Sequence, residues 1–218
     1  KYVGWIMPVK IKICGIKRFE DIEYVNEAMP DYIGFVFAES KRMVDFNKAY
    51  LLKSQLNPGI KVVGVFVNEK IDFIKKCCDN RVIDLIQLHG DEDGAYIRKL
   101  KKFVYKPVIK AIRVTDDILI PQELQFSGNG RNEPDYPLFD TFSKESYGGT
   151  GKAFDWDKIK KFPFPFFLAG GIDIKNVGTA IEKLNPYCID VSSGLETNGI
   201  KDKDKIIEFV KYIRNLEK

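Results

Sequence analysis

The chain has 218 residues, 44% hydrophobic and 30% charged, which is enough apolar material for one large core and enough charge to keep its surface hydrated. Its 35 Lys and Arg against 31 Asp and Glu give a formal net charge of +4, spread along the chain, which excludes the basic block of a nucleic-acid binder. No apolar run approaches the roughly 20 residues of a membrane helix, so a membrane partner is also excluded.

The cysteines indicate a reducing compartment rather than a metal site. None of the four has C-x-x-C spacing, and His89 is the one histidine in the sequence, so we expect no metal. The adjacent Cys77 and Cys78 lie in a charged, helix-like stretch, which favours free thiols over a disulfide. We expect a cytoplasmic protein with one domain over 1–218, in which 1–7 are an extension or a remnant of expression.

Short runs rich in Val, Ile and Phe alternate with longer amphipathic stretches, a pattern typical of repeated β-α units around a parallel sheet. The eight predicted strands are Val9–Cys14, Tyr32–Phe37, Lys61–Val67, Val82–Leu88, Pro107–Ile112, Tyr136–Asp140, Pro165–Ala169 and Cys188–Val191. Helices are predicted over 18–29, 46–56, 69–79, 92–103, 154–161, 174–184 and 202–216.

The alternation lacks one helix, between the fifth and sixth strands. The turn-rich segment 127–134 lies there, which predicts an irregular segment in place of the helix. Eight units favour a closed (β/α)8 TIM barrel of the α/β class, in a single domain. An open, doubly wound sheet is the structural alternative.

In such a barrel the active site is built at the C-terminal ends of the strands. Period-two alternation puts Lys10, Lys12 and Cys14 of the first strand on one face, and the apolar opposite face should meet the helices. The lysines and the thiol then point into the barrel. Cys14 is either a packed small hydrophobe or a general base, whose thiolate the Lys12 cation would favour.

Three further side chains follow strand ends. Arg42, after the second strand, is either a surface charge or a planar clamp for a carboxylate. Gln87 and His89 share a face at the end of the fourth strand, and we assign both to the pocket wall. Asp140 closes the sixth strand, either as a turn cap or as a general acid whose pKa is raised by burial.

Gly-rich loops after the last three strands predict a phosphate site. Backbone N–H groups exposed by glycines bind anions, and the loops after strands seven and eight form the recurrent phosphate site of this fold. The predicted phosphate-binding residues are Gly149, Thr150, Gly151, Gly170, Gly171, Ser192, Ser193 and Gly194.

Taken together, these segments resemble the phosphoribosylanthranilate isomerase family over nearly the whole chain. The resemblance is carried by Lys12–Ile16, Gly34–Phe37, Val63–Asn68, Gln87–Gly90, Gly148–Gly151 with Phe154–Trp156, Leu168–Gly171, Asn176–Val177 and Asp190–Gly194.

The resemblance implies an Amadori rearrangement in tryptophan biosynthesis, from N-(5′-phosphoribosyl)anthranilate to 1-(2-carboxyphenylamino)-1-deoxyribulose 5-phosphate. It implies Cys14 as the general base, Asp140 as the general acid and Arg42 as the clamp for the anthranilate carboxylate. It also implies no metal or organic cofactor, because the substrate nitrogen serves as the electron sink. The expected partner is a small phosphorylated substrate, and monomer and homodimer are both compatible with the sequence.

One further pairing is expected inside the barrel. The eighth strand closes the barrel beside the first, so Asp190 and Lys12 can form an ion pair, either structural or close to the chemistry. A tight pair would neutralise the charge of Lys12, so that Lys12 would favour the Cys14 thiolate less.

Three alternative functions remain at this point. A histidine-pathway aminoaldose isomerase would be expected to use two carboxylates as its acid-base pair, whereas the first strand here ends in Cys14. An indole-glycerol-phosphate synthase would be expected to have a catalytic Lys and Glu where this chain has Cys14 and Asp140. Outside enzymes, the alternative is a phosphate-sensing barrel that binds without turnover.

Overall fold

The computed structural model describes residues 8–114, 124, 126, 132–140, 159 and 162–216. Eight parallel strands form a closed barrel in sequence order, with the eighth paired to the first. They are β1 (Lys10–Cys14), β2 (Tyr32–Val36), β3 (Lys61–Phe66), β4 (Leu85–Leu88), β5 (Val108–Arg113), β6 (Tyr136–Asp140), β7 (Phe167–Ala169) and β8 (Cys188–Val191). The predicted TIM barrel is confirmed, and the open doubly wound sheet is excluded.

Helices cover the outside of the barrel. The described ones are α1 (Phe19–Ala28), α2 (Phe46–Ser54), α3 (Ile71–Asp79), α4 (Gly94–Lys101), α5 (Val177–Leu184) and α6 (Lys203–Leu216). None of the helices in this described part of the chain is long and apolar enough to cross a membrane. The predicted helix over 154–161 and the irregular segment predicted between the fifth and sixth strands lie largely outside the described residues.

Side-chain caps explain why several helices begin later than periodicity predicts. Asp93 accepts a hydrogen bond from the Tyr96 backbone N–H, so α4 begins at Gly94 and not at the predicted position 92. Before α5, Asp173 accepts from the backbone N–H groups of Lys175 and Asn176, a turn that delays the helix to Val177. Apolar residues keep their helical spacing through such capping turns. A prediction from periodicity alone therefore starts these helices too early.

The fourth strand is shorter than its apolar run. Val82 is fully buried, but its N–H donates back to the Cys77 carbonyl at 3.0 Å, so this part of the run still belongs to the turn after α3. The next pairing residue, Leu85, begins β4 opposite Val63. Burial therefore begins before strand pairing does.

The apolar residues form two separate cores. The larger one lies between the barrel and its helices, and Ile11 and Ile13 of β1 belong to it with no exposed surface. The smaller one fills the barrel interior and contains Tyr32, Val63, Leu85, Ile109, Leu138, Phe167, Ala169 and Cys188. The predicted alternation of faces along β1 is confirmed, because Lys12 is fully buried on the face opposite to these isoleucines.

Aromatic rings seal the N-terminal end of the barrel. Tyr136 stacks on Tyr187 with centroids 5.1 Å apart, and the ring of Phe167 lies 5.6 Å from each of them. The hydroxyls of Tyr32 and Tyr187 lie 3.0 Å apart. The interior is therefore packed at this end, and space for a ligand is left at the C-terminal ends of the strands.

A feature absent from the prediction follows β8. A short 3₁₀ helix (Ser193–Leu195) leads into an antiparallel hairpin of β9 (Glu196–Thr197) and β10 (Ile200–Lys201). The turn is made by Asn198 and Gly199, both with positive φ, which is the usual conformation of an Asn-Gly hairpin turn. The hairpin brings Glu196 and Lys201 beside the C-terminal end of the barrel.

Candidate active site

Cys14 ends β1 at the wall of a cavity of about 610 Å³, a size suited to a small-molecule ligand. Its partner in the barrel register is Gly34 of β2, where an added Cβ would lie 2.7 Å from the Cys14 Sγ. A side chain at position 34 would therefore displace the thiol. The sequence contained this signal, since Gly34 interrupts an apolar strand, but its role depends on the register.

The predicted pair between Lys12 and Asp190 is present. The two residues are partners in the register of β1 and β8, and Lys12 Nζ lies 2.6 Å from Asp190 Oδ2. The Lys12 side chain is fully buried and that of Asp190 is 6% exposed. Asp190 Oδ1 is buried and has no hydrogen-bond partner among the described residues, although Asp190 also lines the cavity.

Burial governs the protonation of Cys14 more strongly than the nearby cations do. Burial raises the pKa of the Cys14 thiol, Lys12 and Lys201 oppose it, and Asp190 adds to it, so that the pKa lies above its ordinary value. Burial also lowers the pKa of Lys12, but the Asp190 carboxylate outweighs that effect and raises it. Lys12 lowers the pKa of Cys14, which is the predicted direction, but its tight pair with Asp190 limits this effect.

On the opposite side of the cavity, Asp140 belongs to a short polar chain. Gln87 Nε2 lies 2.9 Å from His89 Nδ1, and His89 Nε2 lies 3.3 Å from Asp140 Oδ2. With the Gln87 amide donating to Nδ1, the ring N–H of His89 lies on Nε2, the nitrogen that faces Asp140. The pocket-wall prediction for Gln87 and His89 therefore agrees with their position, and the structure adds a contact to Asp140.

Arg42 lines the same cavity, but its guanidinium is already engaged. Its Nε lies 2.7 Å from Glu196 Oε1 and its Nη2 lies 2.9 Å from Glu196 Oε2, which is a bidentate ion pair. Lys201 Nζ donates to the same Oε1 at 3.0 Å and to the Ser192 carbonyl at 2.8 Å. The sequence prediction missed Glu196 and Lys201, although the Asn-Gly turn between them indicated a hairpin.

The charges of this cluster set the ionisation of its members. Burial raises the pKa of Glu196, but Arg42 and Lys201 outweigh it and lower the pKa to about 2. Burial lowers the pKa of Lys201, and Glu196 opposes that effect. Glu196 is therefore an anion throughout the physiological pH range.

The predicted phosphate loops after β7 and β8 lie together at the cavity. Gly170, Gly171, Ser192 and Ser193 line it, and both glycines have positive φ, 96° and 62°. A Cβ at Gly194 would lie 2.1 Å from the Ile172 carbonyl oxygen, so only glycine allows the two loops to approach this closely. The predicted Gly149, Thr150 and Gly151 lie outside the described residues.

The cavity thus brings together the thiol at the end of β1, the carboxyl group at the end of β6, a guanidinium and the loops after β7 and β8. Within the described residues, no group of three or more His, Cys, Asp or Glu side chains has the arrangement of a metal site. The chemistry available to these side chains is proton transfer on an anionic small molecule.

Comparisons with known proteins agree with this geometry. The family model for N-(5′-phosphoribosyl)anthranilate (PRA) isomerase matches residues 11–212. An N-(5′-phosphoribosyl)anthranilate isomerase of Endomicrobium trichonymphae is 55% identical over 207 residues, covering 95% of this chain and 99% of the relative.

Solved structures agree as well. Phosphoribosyl anthranilate isomerase of Thermotoga maritima has a TM-score of 0.79 and 36% identity, covering 95% of this chain and 99% of its own. A phosphoribosyl anthranilate isomerase solved with reduced 1-(o-carboxyphenylamino)-1-deoxyribulose 5-phosphate has a TM-score of 0.74 and 32% identity, with the same coverage. The chain belongs to the N-(5′-phosphoribosyl)anthranilate isomerase family.

Proposed function

We propose that Cys14 is the general base and Asp140 the general acid of the isomerase reaction that this chain catalyses in tryptophan biosynthesis. The observation that carries this proposal is the shared cavity, which both side chains line together with Arg42 and the loops after β7 and β8. A substrate with a phosphate at one end and a carboxylate at the other matches these two anion-binding groups.

The chemistry divides between the two sides of the cavity. Asp140, in its protonated form, donates a proton to the furanose ring oxygen of N-(5′-phosphoribosyl)anthranilate, and the C1′–O bond breaks to give a protonated Schiff base. The Cys14 thiolate then removes the C2′ proton, and the electron pair of that C–H bond forms the C1′–C2′ double bond of an enolamine. Tautomerisation gives the ketone, so the product is an isomer of the substrate.

The remaining pocket residues act on binding and orientation. His89 holds Asp140 by the 3.3 Å contact, and Gln87 sets the tautomer of His89. Asp190 Oδ1 offers an acceptor to a hydroxyl of the sugar chain, because it is buried and has no partner in the described part of the molecule. Lys12 contacts the other carboxylate oxygen of Asp190 and opposes the effect of burial, which raises the pKa of this carboxyl.

The loops after β7 and β8 hold the phosphate through backbone N–H groups, and Arg42 holds the anthranilate carboxylate. This orientation puts the sugar between the two ends, beside Cys14 and Asp140. The four cysteines are all free thiols, which suits the cytoplasm as the place where the enzyme works.

A complementation experiment tests the function. Expression of this chain should restore growth without tryptophan to a strain that lacks its own phosphoribosylanthranilate isomerase, and a Cys14→Ser, Asp140→Asn double variant should not. A strain that lacks the histidine-pathway aminoaldose isomerase serves as the specificity control. Growth of the histidine strain alone would assign the chain to the other isomerase, and growth of neither strain, with soluble protein present, would favour a binding protein without turnover.

A further inference from the structure

Arg42 makes a second set of contacts, besides its place at the cavity, that the reaction itself does not explain. Its aliphatic chain lies against Gly15, where an added Cβ would be 2.4 Å from Arg42 Cδ. Gly15 follows Cys14 directly and has a φ of 84°, so the arginine stem passes over the turn that ends β1. The stem is held at this end by the backbone, close to the proposed base.

Glu196 holds the other end of the same side chain. The guanidinium presents the edge formed by Nε and Nη2 to the two carboxylate oxygens, at 2.7 and 2.9 Å. A guanidinium carries five N–H groups in a plane, and this contact uses two of them. The edge formed by Nη1 and Nη2 still has one N–H available on each nitrogen. Two parallel N–H groups of this kind can bind both oxygens of a second carboxylate.

Glu196 is itself firmly anchored. Its side chain is 6% exposed, and Lys201 Nζ, 2% exposed, donates to its Oε1 across the hairpin. Lys201 also donates to the Ser192 carbonyl, and its own backbone carbonyl accepts from Arg18. Because the Glu196 carboxylate is already held in place, it can fix the position of Arg42. It then loses little further conformational freedom when the substrate binds.

The charges of the cluster allow a third ion to bind. Arg42 and Lys201 each carry +1 and Glu196 carries −1, so the three side chains together carry a net charge of +1. Without Lys201, the pair of Arg42 and Glu196 would carry no net charge and would attract an anion less strongly. With it, an incoming carboxylate is attracted although Glu196 is already bound.

We propose that Glu196 is a positioning residue for substrate recognition, which holds one edge of the Arg42 guanidinium so that the other edge is aimed at the substrate carboxylate, with Lys201 as the balancing cation. This inference rests on the proposed role of Arg42. It assigns a substrate-binding function to the β9–β10 hairpin, which otherwise has no part in the reaction.

Steady-state kinetics of Glu196→Gln test the inference. The amide keeps the shape of the side chain but lacks the charge and the second acceptor, so KM should rise about tenfold while kcat stays within about twofold. Inhibition by anthranilate, which carries the carboxylate alone, should weaken in parallel. Inhibition by inorganic phosphate should change far less than KM, because no residue of the proposed phosphate loops is substituted.

A matched control is Glu27→Gln, which removes a carboxylate from an exposed ion pair with Lys203 and should change none of these values. An unchanged KM and unchanged anthranilate inhibition in Glu196→Gln would overturn the inference. A lower KM would also overturn it, because Glu196 would then compete with the substrate for Arg42. Weakened phosphate inhibition matching the rise in KM would assign Glu196 a merely structural role in the loops.

Two substitutions of Arg42 separate this inference from the proposed function. Arg42→Met should raise KM and weaken anthranilate inhibition at least as much as Glu196→Gln; no effect would remove Arg42 from substrate binding and overturn both proposals. Arg42→Lys keeps the charge but has a single ammonium group, which Glu196 would engage, so its KM should rise nearly as far as in Arg42→Met. A near-normal KM in Arg42→Lys would overturn the two-edge geometry while leaving Arg42 as the cation that binds the carboxylate.

Discussion

Cys14 and Asp140 face the same cavity from opposite sides, but their surroundings differ. The β1 side is ionic: Cys14 lies near Lys12, Asp190 and Lys201, and burial raises the pKa of its thiol in spite of the two cations. On the β6 side, Asp140 contacts His89, and Gln87 is hydrogen-bonded to His89 in turn.

This difference implies two ways in which the proposed base and the proposed acid are prepared for proton transfer. On the β1 side, the balance between burial and neighbouring charges decides how much thiolate is present. On the β6 side, the contact with His89 fixes the orientation of the carboxyl group. Perturbations of charge should therefore act chiefly on Cys14, and perturbations of contact geometry should act chiefly on Asp140.

The largest expected effect is that of Cys14→Ser. A serine hydroxyl keeps the size of the thiol but does not ionise near neutral pH, so we expect kcat to fall on the order of 100-fold or more, since a positioned base contributes about that much. Steady-state kinetics measure the loss. Cys78→Ser, a change of the same chemistry in α3, is the control, and a Cys14→Ser variant with near-normal turnover would remove Cys14 from the mechanism.

Asp140→Asn should have the next largest effect. An amide keeps the shape and the contact with His89 but cannot deliver a proton to the ring oxygen, so we expect kcat to fall about 100-fold. Asp79→Asn, which alters an exposed ion pair with Lys75, is the matched control. Turnover within a few-fold of the parent would point to a different acid.

The ionic character of the β1 side predicts the direction of the pH dependence. Because the pKa of Cys14 lies above its ordinary value, the thiolate is the minor form at neutral pH and its fraction rises as the pH rises. We expect the reactivity of the Cys14 thiol to increase by about tenfold per pH unit from pH 7 to 8, because the thiolate is the reactive form. The alkylation rate of Cys14 by iodoacetamide, measured against Cys14→Ser as the blank, should rise in the same way. A rate that is flat between pH 7 and 9 would show that the thiol is already ionised.

The smallest expected effect is that of His89→Gln, which sharpens the comparison between the two sides. It replaces the imidazole beside Asp140 with a side chain that donates from a different position, so we expect kcat to fall about fivefold, within the range of one hydrogen bond. The pH dependence of Cys14 alkylation should not move. A shift of that dependence would show that the two sides are not independent.

The sequence by itself determined the order of the eight strands and the faces of β1. Alternation along a strand is a local property, so Lys12 and Cys14 could be assigned to the inner face without knowing any neighbour. The strand-end residues were also predictable, because the C-terminal ends of parallel strands converge in every barrel of this kind. The pairing of Lys12 with Asp190 followed from the same rule, since the last strand must lie beside the first.

Only the tertiary structure decided which groups act on one another at the cavity. Arg42 and Glu196 are separated by 154 residues, and their contact depends on a hairpin turn and on the close approach of Arg42 to Gly15. The net direction of the Cys14 pKa likewise depends on burial by the whole barrel, not on the lysine two residues before it. Such contacts are set by packing between distant segments, and a pattern that repeats every two or four residues contains no information about them.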